Sequence, residues 1–309
     1  MIDPRLKSLQ LVAWHGTVTA AAATLHYTPS TISAQLRSLA HDVGVPLMQR
    51  QGRTLVLTPA GSRLIDQAAE LSYRWEQMHA ELLAASPQAP QTLRLCGFST
   101  AVASLLPGLA HRVMEAHPGS RVRIIEADPQ ECFELLLAGR ANIAVVVTTA
   151  GLPRADDPRF EQRSLLSDPL DLLVPQAHPL ADRTSVRLAE TAQETWIMDH
   201  PGSTNHQLVL SACLAAGFTP NVGHAIVEWD AGAAMVHEGL GVALVPRLAR
   251  LPAGYDIVRV PLAGDPSPSR HIRTGIRAGS SHSPLIATAL SCLPFDGREN
   301  PWASQTVSP

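Results

Sequence analysis

Two short helical patterns stand back to back between Val18 and Val43, separated only by His26-Tyr27-Thr28. The first opens at Gly16-Thr17-Val18-Thr19, where a hydroxyl can cap the helix, and continues through Ala20-Ala21-Ala22-Ala23-Thr24-Leu25. Its alanines let a second helix approach closely. That second helix begins at Thr28-Pro29, a hydroxyl cap followed by a proline at the first helical position, where a missing N–H costs nothing. Ile32, Leu36, Leu39 and Val43 recur at helical spacing and form an apolar stripe. Ser30, Ser33, Ala34, Arg37, Ser38 and His41 fall on the other side, a small and polar face of the kind a helix in a major groove needs. The spacing predicts a helix-turn-helix.

Gly44 can stop the second helix, and Val45-Pro46-Leu47-Met48 leads into the segment Gln49 to Thr58. That segment reads as two short strands around a turn containing Gly52, with Arg50 and Arg53 on it. Taken alone it could equally be a small solvated hairpin with incidental arginines. Behind a helix-turn-helix it reads as a wing whose two guanidiniums suit phosphate contacts.

At this point the chain resembles the LysR-type transcriptional regulators of bacteria. The resemblance rests on Thr17-Val18-Thr19-Ala20-Ala21-Ala22, Leu25 to Ser33, Gln35-Leu36-Arg37-Ser38-Leu39, Gly44-Val45-Pro46-Leu47 and Leu57-Thr58-Pro59-Ala60-Gly61. It implies that Thr28 and Thr31 contact the DNA backbone, that Pro29, Ser30, Ser33 and Ala34 face the bases, and that Arg50 and Arg53 meet phosphates. Family members often carry Gln where Pro29 stands and Arg or Gln where Ala34 stands, so two long donors are absent from the groove here. The implied function is a ligand-responsive regulator of transcription. Its partners would be double-stranded DNA, a small-molecule effector, further copies of itself as a homodimer or homotetramer, and RNA polymerase at promoters.

Charge and cysteine usage fit an intracellular regulator. The formal net charge of −3 excludes a generally basic coat, yet residues 1–60 carry Arg5, Lys7, Arg37, Arg50 and Arg53 against Asp3 and Asp42. No N-terminal stretch has the pattern of a secretory signal, and no apolar run approaches the roughly 20 residues of a membrane span. A cytoplasmic protein without membrane contact is expected. Cys96, Cys132, Cys213 and Cys292 are scattered without a C-x-x-C pair, so reduced, mostly buried thiols are expected, with cysteine-based redox sensing as the alternative. His200 and His206 match no metal-ligand spacing, and no cofactor or metal is expected.

From Thr58 the pattern is helical again, with Leu64, Ala68, Leu71, Trp75, Met78 and Leu82 separated alternately by four and three residues. That is the repeat of a coiled-coil seam, though an amphipathic helix packed within its own chain would also show it. The resemblance implies that the helix pairs two DNA-binding heads. Ser86 to Gln91 ends it with a polar, proline-bearing linker. Beyond lie short apolar runs alternating with helical periods, the pattern of an α/β sheet protein. The strand candidates are Thr92–Phe98, Arg121–Ala127, Ala141–Val147, Asp168–Pro175, Trp196–Met198 and Gly239–Pro246. Helices are expected over Leu105–His117, Glu131–Gly139 and about Asn205–Ala216.

The expected fold class is therefore α/β. It comprises a winged helix-turn-helix over residues 1–58, a linker helix and hinge over 59–90, and an effector-binding domain over 91–293. By resemblance that domain has two α/β lobes with a ligand cleft between them, like periplasmic binding proteins, at 92–167 plus 269–293 and at 168–268. The tail from 294 to 309 has a composition that suggests no fixed structure.

Ligand chemistry is expected where loops enter helices. Ser99 and Thr100 follow the first strand, and Pro201-Gly202-Ser203-Thr204 repeats that arrangement later, so hydroxyls and free N–H groups can gather around an anion. Either loop alone is also an ordinary helix cap. Thr148, Thr149 and Trp229 are further effector candidates, although Trp229 serves equally well as a core residue. Catalysis is not expected. Gly97-Phe98-Ser99-Thr100-Ala101 lacks the last glycine of a nucleophile elbow, and Gly239-Leu240-Gly241 lacks the third glycine of a dinucleotide loop. A hydrolase and a stand-alone solute-binding protein are thereby the remote alternatives.

Overall fold

The computed structural model describes residues 3–52, 54–85, 91–264 and 267–294. Its Cα packing divides the chain into two compact units. One takes the residues up to Val146, Ala150–Leu165 and those from Arg273 onward, and the other takes Val147–Thr149 and Leu166–Ile272. The expected hinge at 86–90 and the tail from 295 lie outside the described residues.

The first unit opens with three helices, α1 (Pro4–His15), α2 (Val18–Leu25) and α3 (Pro29–Val43). The Asp3 carboxylate accepts the Arg5 N–H at 2.9 Å and Pro4 takes the first helical position, so α1 starts on the same cap-and-proline signal as α3. Leu11, Val12, Ala21, Ala22 and Ile32 are buried where the three helices meet. At two of these positions the side chain is only a methyl, as close helix packing requires. Val43, expected in the apolar stripe of α3, is instead 45% exposed, being the last residue of the helix and a full turn beyond buried Leu39. A hairpin of β1 (Met48–Gln51) and β2 (Thr54–Leu57) follows, with Met48 opposite Leu57.

Thr58 then caps α4 (Pro59–Ala84), accepting the Gly61 N–H at 3.0 Å while donating to the Pro46 carbonyl at 2.7 Å. A side chain at Gly61 would collide with the Leu47 carbonyl oxygen, so the glycine lets α4 start against the wing. With 26 residues α4 is about 39 Å long.

The rest of the first unit is a parallel sheet with helices. The elements are β3 (Thr92–Gly97), α5 (Ser99–Ser104), α6 (Leu106–Ala116), β4 (Arg121–Glu126), α7 (Pro129–Ala138) and β5 (Ile143–Val147). Strand β3 pairs in parallel with both β4 and β5, and every residue of β5 is buried. The single helix expected over Leu105–His117 is two, because Pro107 has no N–H to donate and disfavours helical geometry just before it; Leu105, at φ −115°, ends α5 and opens α6. Phe133 on α7 meets Phe160 edge to face at 4.9 Å between ring centres.

Helices α1, α2 and α4 pack on this sheet layer within the same unit. Thr24 Oγ1 lies 3.3 Å from Glu134 Oε2, Arg140 donates to the Thr24 carbonyl at 3.2 Å, and Arg277 pairs with Glu76 of α4 at 2.6 Å.

The second unit contains β7 (Thr195–Met198), α8 (Thr204–Ala215), β8 (Asn221–Ala225), α9 (Trp229–His237), β9 (Ala243–Pro246) and β10 (Ile257–Pro261). Two long strands, β6 (Phe160–Pro175) and β11 (Ser269–Arg277), contribute residues to both units, and α10 (Pro284–Ser291) closes the described chain in the first. Strand β6 begins at Phe160, earlier than the apolar run from Asp168 indicates, because its first half is mostly polar, with only Phe160 and Leu165 buried. Within the second unit β9 and β10 flank it antiparallel, setting Leu172 opposite Leu244 and Val260.

One ion pair is sealed inside this layer. Asp168 meets Arg270 at 2.6 Å with both side chains buried, and its other oxygen accepts the Leu248 N–H at 3.0 Å. Burial pulls the Arg270 guanidinium below its ordinary pKa, opposed by the Asp168 charge.

Candidate nucleic-acid interface and ligand loops

The turn between α2 and α3 is built by backbone geometry. His26 adopts a left-handed conformation at φ +56°, with its N–H directed to the end of α2. Thr28 then caps α3 by accepting the Thr31 N–H at 3.2 Å, and its hydroxyl also lies 2.8 Å from those of Ser30 and Thr31. The three hydroxyls thus form one small cluster at the exposed start of α3. Pro29, Ser30, Ala34 and Arg37 are exposed, and Thr31 and Ser33 are half-buried.

The opposite side of α3 is fixed to α1. Ser8 and Gln35 side chains meet at 2.5 Å, and Arg5 holds Ser38 at 2.9 Å and Asp42 at 2.6 Å. Ser38 is therefore already partnered within the head.

Ser33 and Arg37 of α3 and Arg50 of β1 line one groove of about 710 Å³ with Val18 and Val45. The structure so brings the recognition face and the wing together. Arg50 is exposed with its guanidinium available, while Arg53 lies outside the described residues. Sequence reasoning passed over Tyr27, an aromatic ring 48% exposed in the turn itself. An aromatic beside polar hydroxyls was the available signal.

Helix α4 has two unlike faces. Gly61, Ala68, Ala69 and Ala80 are buried against the chain, whereas Leu71, Met78 and Leu82 are 56, 45 and 59% exposed. At about 100° per residue, Leu64, Leu71, Trp75, Met78 and Leu82 fall within a stripe of roughly 60°, and Ala69 and Ala80 lie on the far side. Ala68 belongs to the expected seam in sequence but packs inward at its edge.

The ligand candidates divide between the units. Ser99 and Thr100 start α5 in the first unit; Ser99 is exposed, and Thr100 is buried with Oγ1 lacking any hydrogen-bond partner among the described residues. A buried hydroxyl in that state is uncommon and is a position where a ligand atom can restore a bond. In the second unit Ser203 caps the 12-residue α8 by accepting the His206 N–H at 3.0 Å, which leaves its own hydroxyl proton free, and Thr204 is exposed. Asn205 Oδ1 beside it is buried and also unpartnered among the described residues. Thr148 is held through its N–H to the His271 carbonyl at 2.8 Å, and Thr149 is half-buried. Trp229 opens α9 and packs against the core formed by Leu173, Ile197, Ala233 and Val236. His206 Nδ1 contacts the Asp199 carbonyl at 2.9 Å, and no metal-binding cluster occurs among the described residues.

The cysteines are all free, three of them buried. Burial raises the Cys213 thiol to about 11, and contact with Cys132 together with burial raises that of Cys96. Oxidation proceeds through the thiolate, so both thiols are poor redox sensors as they stand. Among the described residues no helix is long and apolar enough to cross a membrane.

Comparison with known proteins matches both parts of the chain. Residues 4–62 fit the family described as bacterial regulatory helix-turn-helix protein, lysR family, and residues 87–294 fit the LysR substrate binding domain. The chain is 28% identical over 244 residues to the HTH-type transcriptional regulator TtuA of Agrobacterium vitis, covering 78% of this chain and 79% of the other. A full-length OxyR variant from Pseudomonas aeruginosa superposes with a TM-score of 0.60 at 21% identity over 94% of both chains. Full-length CbnR complexed with its target DNA gives a TM-score of 0.55 at 23% identity, covering 93% of this chain and 96% of that one.

Proposed function

The chain belongs to the LysR family of DNA-binding transcriptional regulators, and from that premise we propose that it binds operator DNA as a homodimer or homotetramer under the control of a small anionic effector. In this reading residues 1–58 are the DNA-binding head, 59–90 the pairing helix and hinge, and 91–293 the effector-binding part, with 294–309 a tail. Helix α3 enters the major groove with Pro29, Ser30, Ser33 and Ala34 facing the bases and Arg37 on the same outer side, Thr28 and Thr31 contact the DNA backbone, and Arg50 and Arg53 approach phosphates. The protein works in the cytoplasm, at promoters with RNA polymerase, as a regulator and not as a catalyst.

The observation that carries the effector half is the buried Thr100 hydroxyl with no partner among the described residues. Ser99 stands beside it, and Ser203 and Thr204 offer the second ligand-bearing loop at the start of α8. Hydroxyls and free N–H groups favour a carboxylate or a similar anion over a bulky apolar compound. An effector changes DNA contacts only by the difference in its affinity for two assemblies, so it must bind one of them better.

The test is thermal stabilisation of the intact protein by organic acids, amino acids and neutral apolar compounds. A small acid at about 100 times its dissociation constant should add about 2.7 kcal/mol. That gain should shrink in Ser99→Ala and in Ser203→Ala. Stabilisation kept in both variants puts the site elsewhere, and hits confined to neutral apolar compounds defeat the anionic reading.

A further inference from the structure

Inside the first unit α1 and α4 enclose, with Leu137 of α7, with Arg159 just before β6 and with Arg277 at the end of β11, a cavity of about 180 Å³ that none of the ligand loops lines. Apolar cavities of about 150 Å³ can hold a benzene ring, so the space suits a ligand of up to roughly ten heavy atoms and falls below the usual size of a drug-like pocket. Leu6, Ala69, Leu137 and the Trp75 ring give it apolar walls.

Its charged lining is mostly committed. Asp3 binds Arg5 at 2.6 Å, Arg159 binds Asp157 at 2.6 Å, and Glu76 binds Arg277 at 2.6 Å. Arg277 also takes the carbonyls of Leu136 and Ala141 at 3.2 and 2.7 Å, which occupies acceptors at the end of α7. Lys7 is the exception: among the described residues it has no ion pair and no side-chain hydrogen bond. Its ammonium lies near Gly139, where an added Cβ would stand 3.1 Å from Nζ.

Although Lys7 is exposed over part of its length, burial pushes its ammonium below the usual lysine range, the Arg277 charge adds to this, and Glu76 only partly opposes it. Among the described residues this ammonium has no paired anion, and an anion entering the cavity would supply one. Tyr73 and Gln10 are polar residues that also line the space. Tyr73 accepts from Gln77 Nε2 at 3.0 Å and so keeps its own O–H to donate, and buried Gln10 adds an amide.

We propose that this cavity is a second ligand site, taking a small carboxylate with a flat apolar body whose charge pairs with Lys7 and whose body lies against Trp75. It does not depend on the Ser99 and Ser203 loops. Because its walls come from α1, α4 and the sheet layer, a ligand bound there favours the conformation in which the DNA head is packed on that layer.

Benzoate, benzamide and inorganic phosphate serve as probes of the intact protein, read by calorimetry and by tryptophan fluorescence. Benzoate should bind, and benzamide, equal in shape but neutral, at least about tenfold more weakly. Lys7→Gln should lose about tenfold in benzoate affinity, and Lys7→Arg should restore most of it. Ser99→Ala and Ser203→Ala should leave it unchanged, and Trp75→Phe should remove the fluorescence response. Four results would overturn the proposal: no benzoate binding up to about 10 mM, equal affinity for benzamide, tighter binding of phosphate than benzoate, or unchanged benzoate affinity in Lys7→Gln. Benzoate binding lost only in the serine variants would assign it to the effector loops instead.

Discussion

Leu71→Glu combined with Met78→Glu should split the assembly into single chains and lower affinity for a two-half-site operator by roughly 10²- to 10⁴-fold. Both side chains are about half exposed in the isolated chain, so the charges cost its own fold little. In a paired helix they would lie in the seam, where an unpartnered carboxylate is strongly unfavourable. The lost affinity is avidity, because each head keeps its own contacts but no longer binds beside a tethered neighbour. Sedimentation and operator binding measured on the same preparation check both consequences. An unaltered assembly with unaltered affinity would mean that the exposed stripe of α4 has another role.

Asp168→Ala should destabilise the second unit by about 3–5 kcal/mol, the usual cost of breaking a buried pair from one side. Buried Arg270 would lose the Asp168 charge, and the Leu248 N–H would lose the Asp168 carboxylate oxygen it donates to. Asp156→Ala supplies the contrast. Its pair with Arg154 leaves the two side chains 75 and 87% exposed, so its removal should change stability by at most about 1 kcal/mol. Thermal or denaturant unfolding followed by near-ultraviolet circular dichroism compares them directly, and equal effects would show that the Asp168 pair is not sealed from water.

The head was legible in the sequence because its signals are local. Thr28-Pro29 marks a helix start, Gly44 an end, and four-residue apolar spacing a buried face, and each depends on neighbours within a turn or two. Helix α1 carries the same local signal at Asp3-Pro4. The Pro107 break was equally local, yet the apolar period ran through it and hid the change of helix.

What stayed hidden depends on contacts distant in sequence. The first half of β6 is polar and becomes a strand through sheet pairing, which no short window reveals. For α4 the heptad spacing was visible, but which residues face the chain itself was decided by packing around Ala69 and Ala80. That the Thr100 hydroxyl and the Lys7 ammonium have no partner among the described residues is likewise a property of three-dimensional surroundings. Serine and threonine at a helix start announce a cap in sequence, and only the missing partner separates a ligand position from a structural one.

The measurement that bears most directly on the central claim, DNA binding through α3 and the wing, is the salt dependence of binding to the DNA upstream of the protein's own gene. The intact protein should prefer that duplex to unrelated DNA, with the logarithm of affinity falling linearly against the logarithm of salt concentration. Arg50→Ala, which removes an exposed guanidinium without touching the core, should weaken binding to both duplexes and flatten the slope by about one unit. A protein with no preference for its upstream DNA, or a variant whose slope is unchanged, would contradict the account.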